Sequence, residues 1–137
     1  MATQSSDDDD QSALSDLKRK IIVEWALQPP EMQGLRPIDG LLTSIQTVYP
    51  PANNLPAHDY FGGWKAVSDC ELREGQALDE KKLSKAVRKL RFFLHPDKLP
   101  RDLTDEQQFV CKLLWDITND AWADYKKALE DLDWMHG

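Results

Sequence analysis

The most distinctive chemistry in this chain lies in His95-Pro96-Asp97 and in the cations that precede it. Pro96 locks its own φ and pushes His95 out of the α region, so the two flanking side chains project in a defined geometry. A carboxylate such as that of Asp97 can accept charge-assisted hydrogen bonds from an arginine on another molecule. The plain alternative is a helix-stopping turn that ends in a solvated aspartate. Residues 81 to 101 carry Lys81, Lys82, Lys85, Arg88, Lys89, Arg91, Lys98 and Arg101 against one acid, Asp97. That island is +7 in a chain of net charge -7, which leaves -14 for the remaining residues. Most charge runs on helices are solvated faces. A concentrated positive field in an acidic chain also suits steering of an acidic partner. Nucleic acid is a third user of such a stripe, but no stacking platform of exposed aromatics is evident beside it, and the net charge opposes it.

Enzymatic chemistry finds little support. There is no GxxxxGK phosphate loop, no GxSxG elbow and no HExxH pair, and six glycines are scattered without pattern. His58, His95 and His136 are widely separated, and Cys70 and Cys111 have no CxxC partner, so neither a metal nor another cofactor is expected. Two cysteines make no disulfide framework, and both are read as buried free thiols. At 137 residues with 41% hydrophobic and 30% charged residues, the chain is one domain's worth. No apolar run approaches the roughly 18 residues of a membrane span. MATQSSDDDD has neither a secretory nor an Arg-rich mitochondrial pattern, so a cytoplasmic location is expected.

The elements that must position these residues read as all-α. Residues 1–11 are acidic and aperiodic, an expected disordered tail. Within it Ser5 and Ser6 precede Asp7 to Asp10, a pattern that acidophilic kinases favour and that chance also produces often. From Ser12, Leu14, Leu17, Ile21 and Trp25 share one helical face, and Pro29-Pro30 ends that helix near Leu27. This N-terminal amphipathic unit, residues 12–30, either packs on the rest or recruits something else. Pro37 opens a second helix with Ile38, Leu41, Leu42, Ile45 and Val48 as its stripe. PPANNLPAHDYFGG, residues 50–63, is a loop, with Trp64 and Val67 pinning it to the core.

A third helix runs from about Asp79, its N-cap, to Leu94. Leu83, Ala86, Val87, Leu90 and either Phe93 or Leu94 form its buried face. Lys81 or Lys82, then Lys85, then Arg88 and Lys89 gather on the opposite side. After a connection to Leu103, Thr104 and Gln107 form a capping box for a fourth helix. Its stripe is Val110, Leu113 or Leu114, Ile117, Ala121 and Tyr125, with Ala128 and Leu132 continuing it. No strand and no repeat are evident. Trp64, Trp115 and Trp122 are read as core and loop anchors.

LSKAVRKLRFFLHPDK, residues 83–98, resembles the J-domain family, whose second helix and following loop carry a pattern like (I/L)xKAYRKLxxxxHPDK. Val87 stands where many members have tyrosine, and Arg91 where a small residue is usual. Further matches narrow the resemblance to the auxilin-like J domains. IDGLLTSIQTV, from Ile38, is similar to their additional N-terminal helix. Trp64-Lys65-Ala66-Val67 is similar to their Trp-Lys-Pro-Val anchor, with alanine in place of the proline. FVCKLLWDITNDAW, from Phe109, follows their last helix, including Cys111, Asp116, Asn119, Asp120, Ala121 and Trp122.

The resemblance covers Ile38 to about Tyr125 and implies an auxilin-like J domain over residues 36–133, a helical hairpin with additional N-terminal helices. It implies a co-chaperone that stimulates ATP hydrolysis by a 70-kDa heat-shock chaperone of the DnaK class, with catalysis entirely in that partner. By this likeness His95, Pro96, Asp97 and Lys98 form the trigger loop. Lys82, Lys85, Arg88 and Lys89 are then the chaperone contacts. The family also implies clathrin-coat disassembly, with clathrin or another client as a further partner. The 137 residues contain no Asp-Leu-Leu, Asp-Pro-Phe or Asn-Pro-Phe tripeptide that might recruit clathrin or adaptors. A J-like interaction module without ATPase stimulation is the alternative. Nucleic acid and membrane insertion are not expected.

Overall fold

A computed structural model describes residues 13–50 and 52–136. The acidic tail at residues 1–11 and its serines lie outside the described residues. Among the described residues the chain is mostly helical, with one very short antiparallel ladder.

Helix α1 covers residues 13–21 and closes in a wider π-helical turn, Ile22–Ala26. Its apolar stripe packs rather than standing free: Ile21, Trp25 and Ala26 are buried, with Leu14 and Leu17 partly covered. The Trp25 indole Nε1 donates to Ser44 Oγ at 2.9 Å, which fixes the end of α1 against the second helix. Leu27 turns extended and bridges to Leu35, so the prolines end the helix where expected. Arg36 closes that end, donating from Nε to Leu27 O at 3.1 Å and from Nη2 to Glu24 O at 3.4 Å. A cation on terminal carbonyls is the favourable sense of the helix dipole.

Helix α2, Ile38–Ser44, continues as a 3-10 turn through Thr47 and buries Ile38, Leu41, Leu42, Ile45 and Val48. The following loop is held at three points. Tyr60 Oη donates to Phe93 O at 2.7 Å and its ring stacks on Phe93 at 4.9 Å. Gln107 Nε2 donates to Pro56 O at 2.7 Å, and His58 Nε2 meets Asp102 Oδ1 at 3.0 Å. Trp64 leans on Phe93 with ring centroids 5.4 Å apart.

Two expectations fail in the next segment. The chain was read as strand-free, yet β1, Arg73–Glu74, pairs antiparallel with β2, Ala77–Leu78. Gly75 makes this possible by adopting φ 67, the left-handed geometry a two-residue hairpin turn requires. Cys70, expected buried, is exposed on the 3-10 turn Asp69–Leu72, which sends Leu72 inward instead. Cys111 is buried as expected, and burial pushes its thiol up to about 12.

A raised thiol contributes stability that is fully present below its ordinary 9.0 and is lost as pH rises through that value toward about 12. A thiol-specific reagent near neutral pH is therefore expected to label Cys70 rapidly and Cys111 only after unfolding. Equal labelling of both thiols in the native protein contradicts this arrangement.

Helix α3, Glu80–Leu94, is capped by Asp79, whose carboxylate accepts from Lys82 N at 2.9 Å. It buries Leu83, Ala86, Val87, Leu90, and both Phe93 and Leu94. Helix α4, Asp105–His136, opens with the reciprocal Thr104–Gln107 box, with bonds of 2.7 and 3.1 Å. Val110, Leu114, Ile117 and Ala121 are buried along it. The expected continuation does not pack, because α4 outruns the core: Ala128 is exposed and Leu132 is 51% exposed. Helices α3 and α4 pack against each other and run antiparallel. His95 at the end of α3 meets Trp115, while the start of α3 (Asp79 and Glu80) lies close enough to Tyr125 for its charges to act on that phenol. Burial raises the Tyr125 pKa first, and those carboxylates raise it further.

Candidate functional site

Asp79 starts α3 and Pro96 ends it, so the cations are presented on one rigid helix face that stops at the proline turn. Lys81, Lys85, Arg88 and Lys89 are exposed along that face. Among the described residues no carboxylate lies within ion-pair distance of any of these four cations. Lys82 differs. Its ammonium donates to Glu74 Oε2 at 2.8 Å and to Arg73 O at 3.1 Å, and the bond to Glu74 raises its pKa above the ordinary lysine value. The hairpin thus draws Lys82 to one flank and partly neutralises it, leaving Lys85, Arg88 and Lys89 as the free members of the expected set.

The turn itself is ordered by its own side chains. His95 takes φ -60 and ψ 130, Pro96–Lys98 forms a single 3-10 turn, and Asp97 N donates to His95 Nδ1 at 3.1 Å. Lys98 N donates to His95 O at 2.8 Å. Because Nδ1 accepts, the proton of the neutral imidazole is on Nε2, and the ring offers a donor. The His95 side chain is 44% exposed and that of Asp97 88%, so both are accessible. The His95 ring stands edge-on to Trp115 at 5.4 Å and 87°, and the Arg91 guanidinium lies 5.7 Å from the Trp115 centroid. From the other side, Lys98 Nζ lies 4.9 Å from the Phe92 ring centroid.

The structure groups His95, Pro96, Asp97 and Lys98 in one turn and Lys85, Arg88 and Lys89 along the preceding helix face, the two linked by Lys98 against Phe92, and sets Lys82 apart. Three roles escape the sequence reading. Trp115, expected only as an anchor, packs on His95, a long-range contact without a local signal. Tyr60 holds Phe93 O near the end of α3 from 33 positions away. Phe92 is 63% exposed beside the cations, which corrects the expectation that no exposed aromatic accompanies them. Its signal was available by subtraction: with Leu90 and Phe93 inward, residue 92 falls one turn beyond Arg88.

Among the described residues no three His, Cys, Asp or Glu side chains are grouped to hold a metal ion. No helix among them is long and apolar enough to cross a membrane. Comparison with protein-family models, with curated proteins and with solved structures found no match for this chain.

Proposed function

We propose that the chain is a J-domain co-chaperone of the auxilin-like kind, which accelerates ATP hydrolysis by a DnaK-class chaperone and performs no catalysis itself. One observation carries the reading: two antiparallel helices are joined at an accessible His95-Pro96-Asp97 turn that ends a helix face of unpaired cations. On this reading the free cations Lys85, Arg88 and Lys89 steer an acidic chaperone surface onto α3. His95 Nε2 and the Asp97 carboxylate then meet polar groups at the docked site, an arginine being the natural partner for Asp97. The docked state must be the hydrolysis-competent one, because a ligand shifts an equilibrium only by its differential affinity. Each tenfold of acceleration requires about 1.4 kcal/mol of such preference. Clathrin-coat disassembly belongs to the same proposal and follows from the family likeness, and a cytoplasmic site of action is proposed with it.

The test is single-turnover ATP hydrolysis by cytoplasmic DnaK-class chaperones with and without this protein. Acceleration of tenfold or more is expected. Saturable binding without acceleration replaces the reading with that of an interaction module. A second reading, nucleic-acid binding, draws support from Phe92 beside Arg88, Lys89 and Lys98. It requires oligonucleotide affinity that falls steeply with salt. The carboxylate of Asp97 at the end of the same face repels phosphate and favours the protein partner.

A further inference from the structure

Phe92 has the greatest exposure among the large hydrophobic side chains of the described residues, at 63%. A lone exposed apolar residue on a protein surface is ordinary. The surroundings of Phe92 are not. It shares the outer face of α3 with Lys85, Arg88 and Lys89, and the Lys98 ammonium sits 4.9 Å from its ring centroid. On its other side it borders a groove of about 730 Å³ walled by Tyr60, Trp64, Val67 and Phe93, with Lys65 and Lys89 also lining it. An apolar centre enclosed by a charged rim is how energetically dominant interface residues are arranged, the rim excluding water from the anchor.

We propose that Phe92 is the apolar anchor of this face. Its occupant is an acidic protein surface with an apolar socket for the ring, whose carboxylates pair with Arg88, Lys89 and Lys98. The proposal rests on the co-chaperone reading and specifies the chemistry of the chaperone surface that α3 meets. Charge complementarity selects that occupant: the cations require acids opposite them, and the ring requires an apolar contact between those acids. Asp59 and Glu71 line the same groove and Glu80 borders the same face, so the surroundings are not uniformly welcoming to a phosphate backbone. Attraction by the cations sets the encounter, while burial of the ring lengthens the complex's lifetime.

The experiment is calorimetric titration of a DnaK-class chaperone with the full chain at several salt concentrations, with ATP-hydrolysis stimulation measured alongside. Phe92→Ala is expected to weaken binding about tenfold at every salt concentration without changing the salt slope. Phe92→Leu keeps most of the affinity, and Arg88→Ala flattens the slope. Because Phe92 is exposed, its variants fold normally, which circular dichroism verifies. Binding by Phe92→Ala within twofold of wild type, in a wild type that still stimulates the ATPase, overturns this proposal and leaves the functional reading intact. The same holds if Phe92→Ala flattens the salt slope as Arg88→Ala does, since the ring would then act only through its cations. Competition by a single-stranded oligonucleotide that depends on Phe92 assigns the face to nucleic acid and overturns the proposal. Absence of saturable binding by the wild type removes the functional reading and this proposal together.

Discussion

On the proposed co-chaperone reading, replacing His95 by glutamine is expected to return chaperone ATP hydrolysis to its unstimulated rate, and replacement by asparagine is expected to do the same. The pair is informative because the two amides stand in for different ring nitrogens. His95→Asn retains an acceptor near Nδ1, where Asp97 N donates at 3.1 Å, and asparagine is a favoured residue at the start of a helical turn. His95→Gln places its amide nearer Nε2 and gives up that turn-closing acceptor. Loss of stimulation by His95→Asn, with stability equal to wild type, assigns the effect to the Nε2–H rather than to collapse of the turn, whereas loss by His95→Gln, which keeps an amide donor near Nε2, reports the need for the closed turn. The glutamine variant is expected to lose about 0.5–1 kcal/mol of stability as the cap weakens. Single-turnover hydrolysis and thermal unfolding measured together separate the two effects. Full stimulation by His95→Asn removes Nε2 from the mechanism.

The largest effect on stability is expected at Leu90, two residues before Phe92 and on the other side of the same helix. Leu90 is 0% exposed, within the core that α3 shares with α2 and α4. Leu90→Ala removes that side chain and leaves a cavity the surrounding helices fill only partly, at a cost of about 2.7–5 kcal/mol. Against a total of roughly 5–15 kcal/mol for a small domain, the variant lies close to unfolding. Phe92→Ala, by contrast, stays within about 0.5 kcal/mol of wild type. Urea denaturation of the two variants reads both numbers. A loss at Leu90 below about 1 kcal/mol is incompatible with the packing described for α3.

What could be read in advance was local. Asp79 and Pro96 bound α3 because a side-chain acceptor and a missing α conformation act within a few residues. Thr104 and Gln107 satisfy each other's amides for the same reason. The candidate site was legible to the extent that it lies on one helix and the turn after it. The remainder depends on contacts between distant residues. Glu74 reaches Lys82 only because Gly75 folds a hairpin of two-residue strands, too short to show any alternation. Cys70 and Cys111 look alike in sequence, and their opposite burial is settled by which side of a turn or helix faces the core. Helical periodicity continues through Ala128 and Leu132 because α4 itself continues through them. At 32 residues it is about 48 Å long, however, and the protein beneath it ends sooner.

The closed turn at His95 has a consequence for the thermodynamics of association. Its backbone is fixed by Pro96, by the bonds from Asp97 N and Lys98 N, and by the packing of His95 on Trp115. Immobilising a loop or a long side chain on docking costs about 0.5–1.5 kcal/mol for each side chain arrested. Here much of that conformational entropy is already lost on folding. The proposed complex would therefore form from a surface already ordered before docking, and orientation and diffusion, rather than loop ordering, are expected to govern how fast it forms.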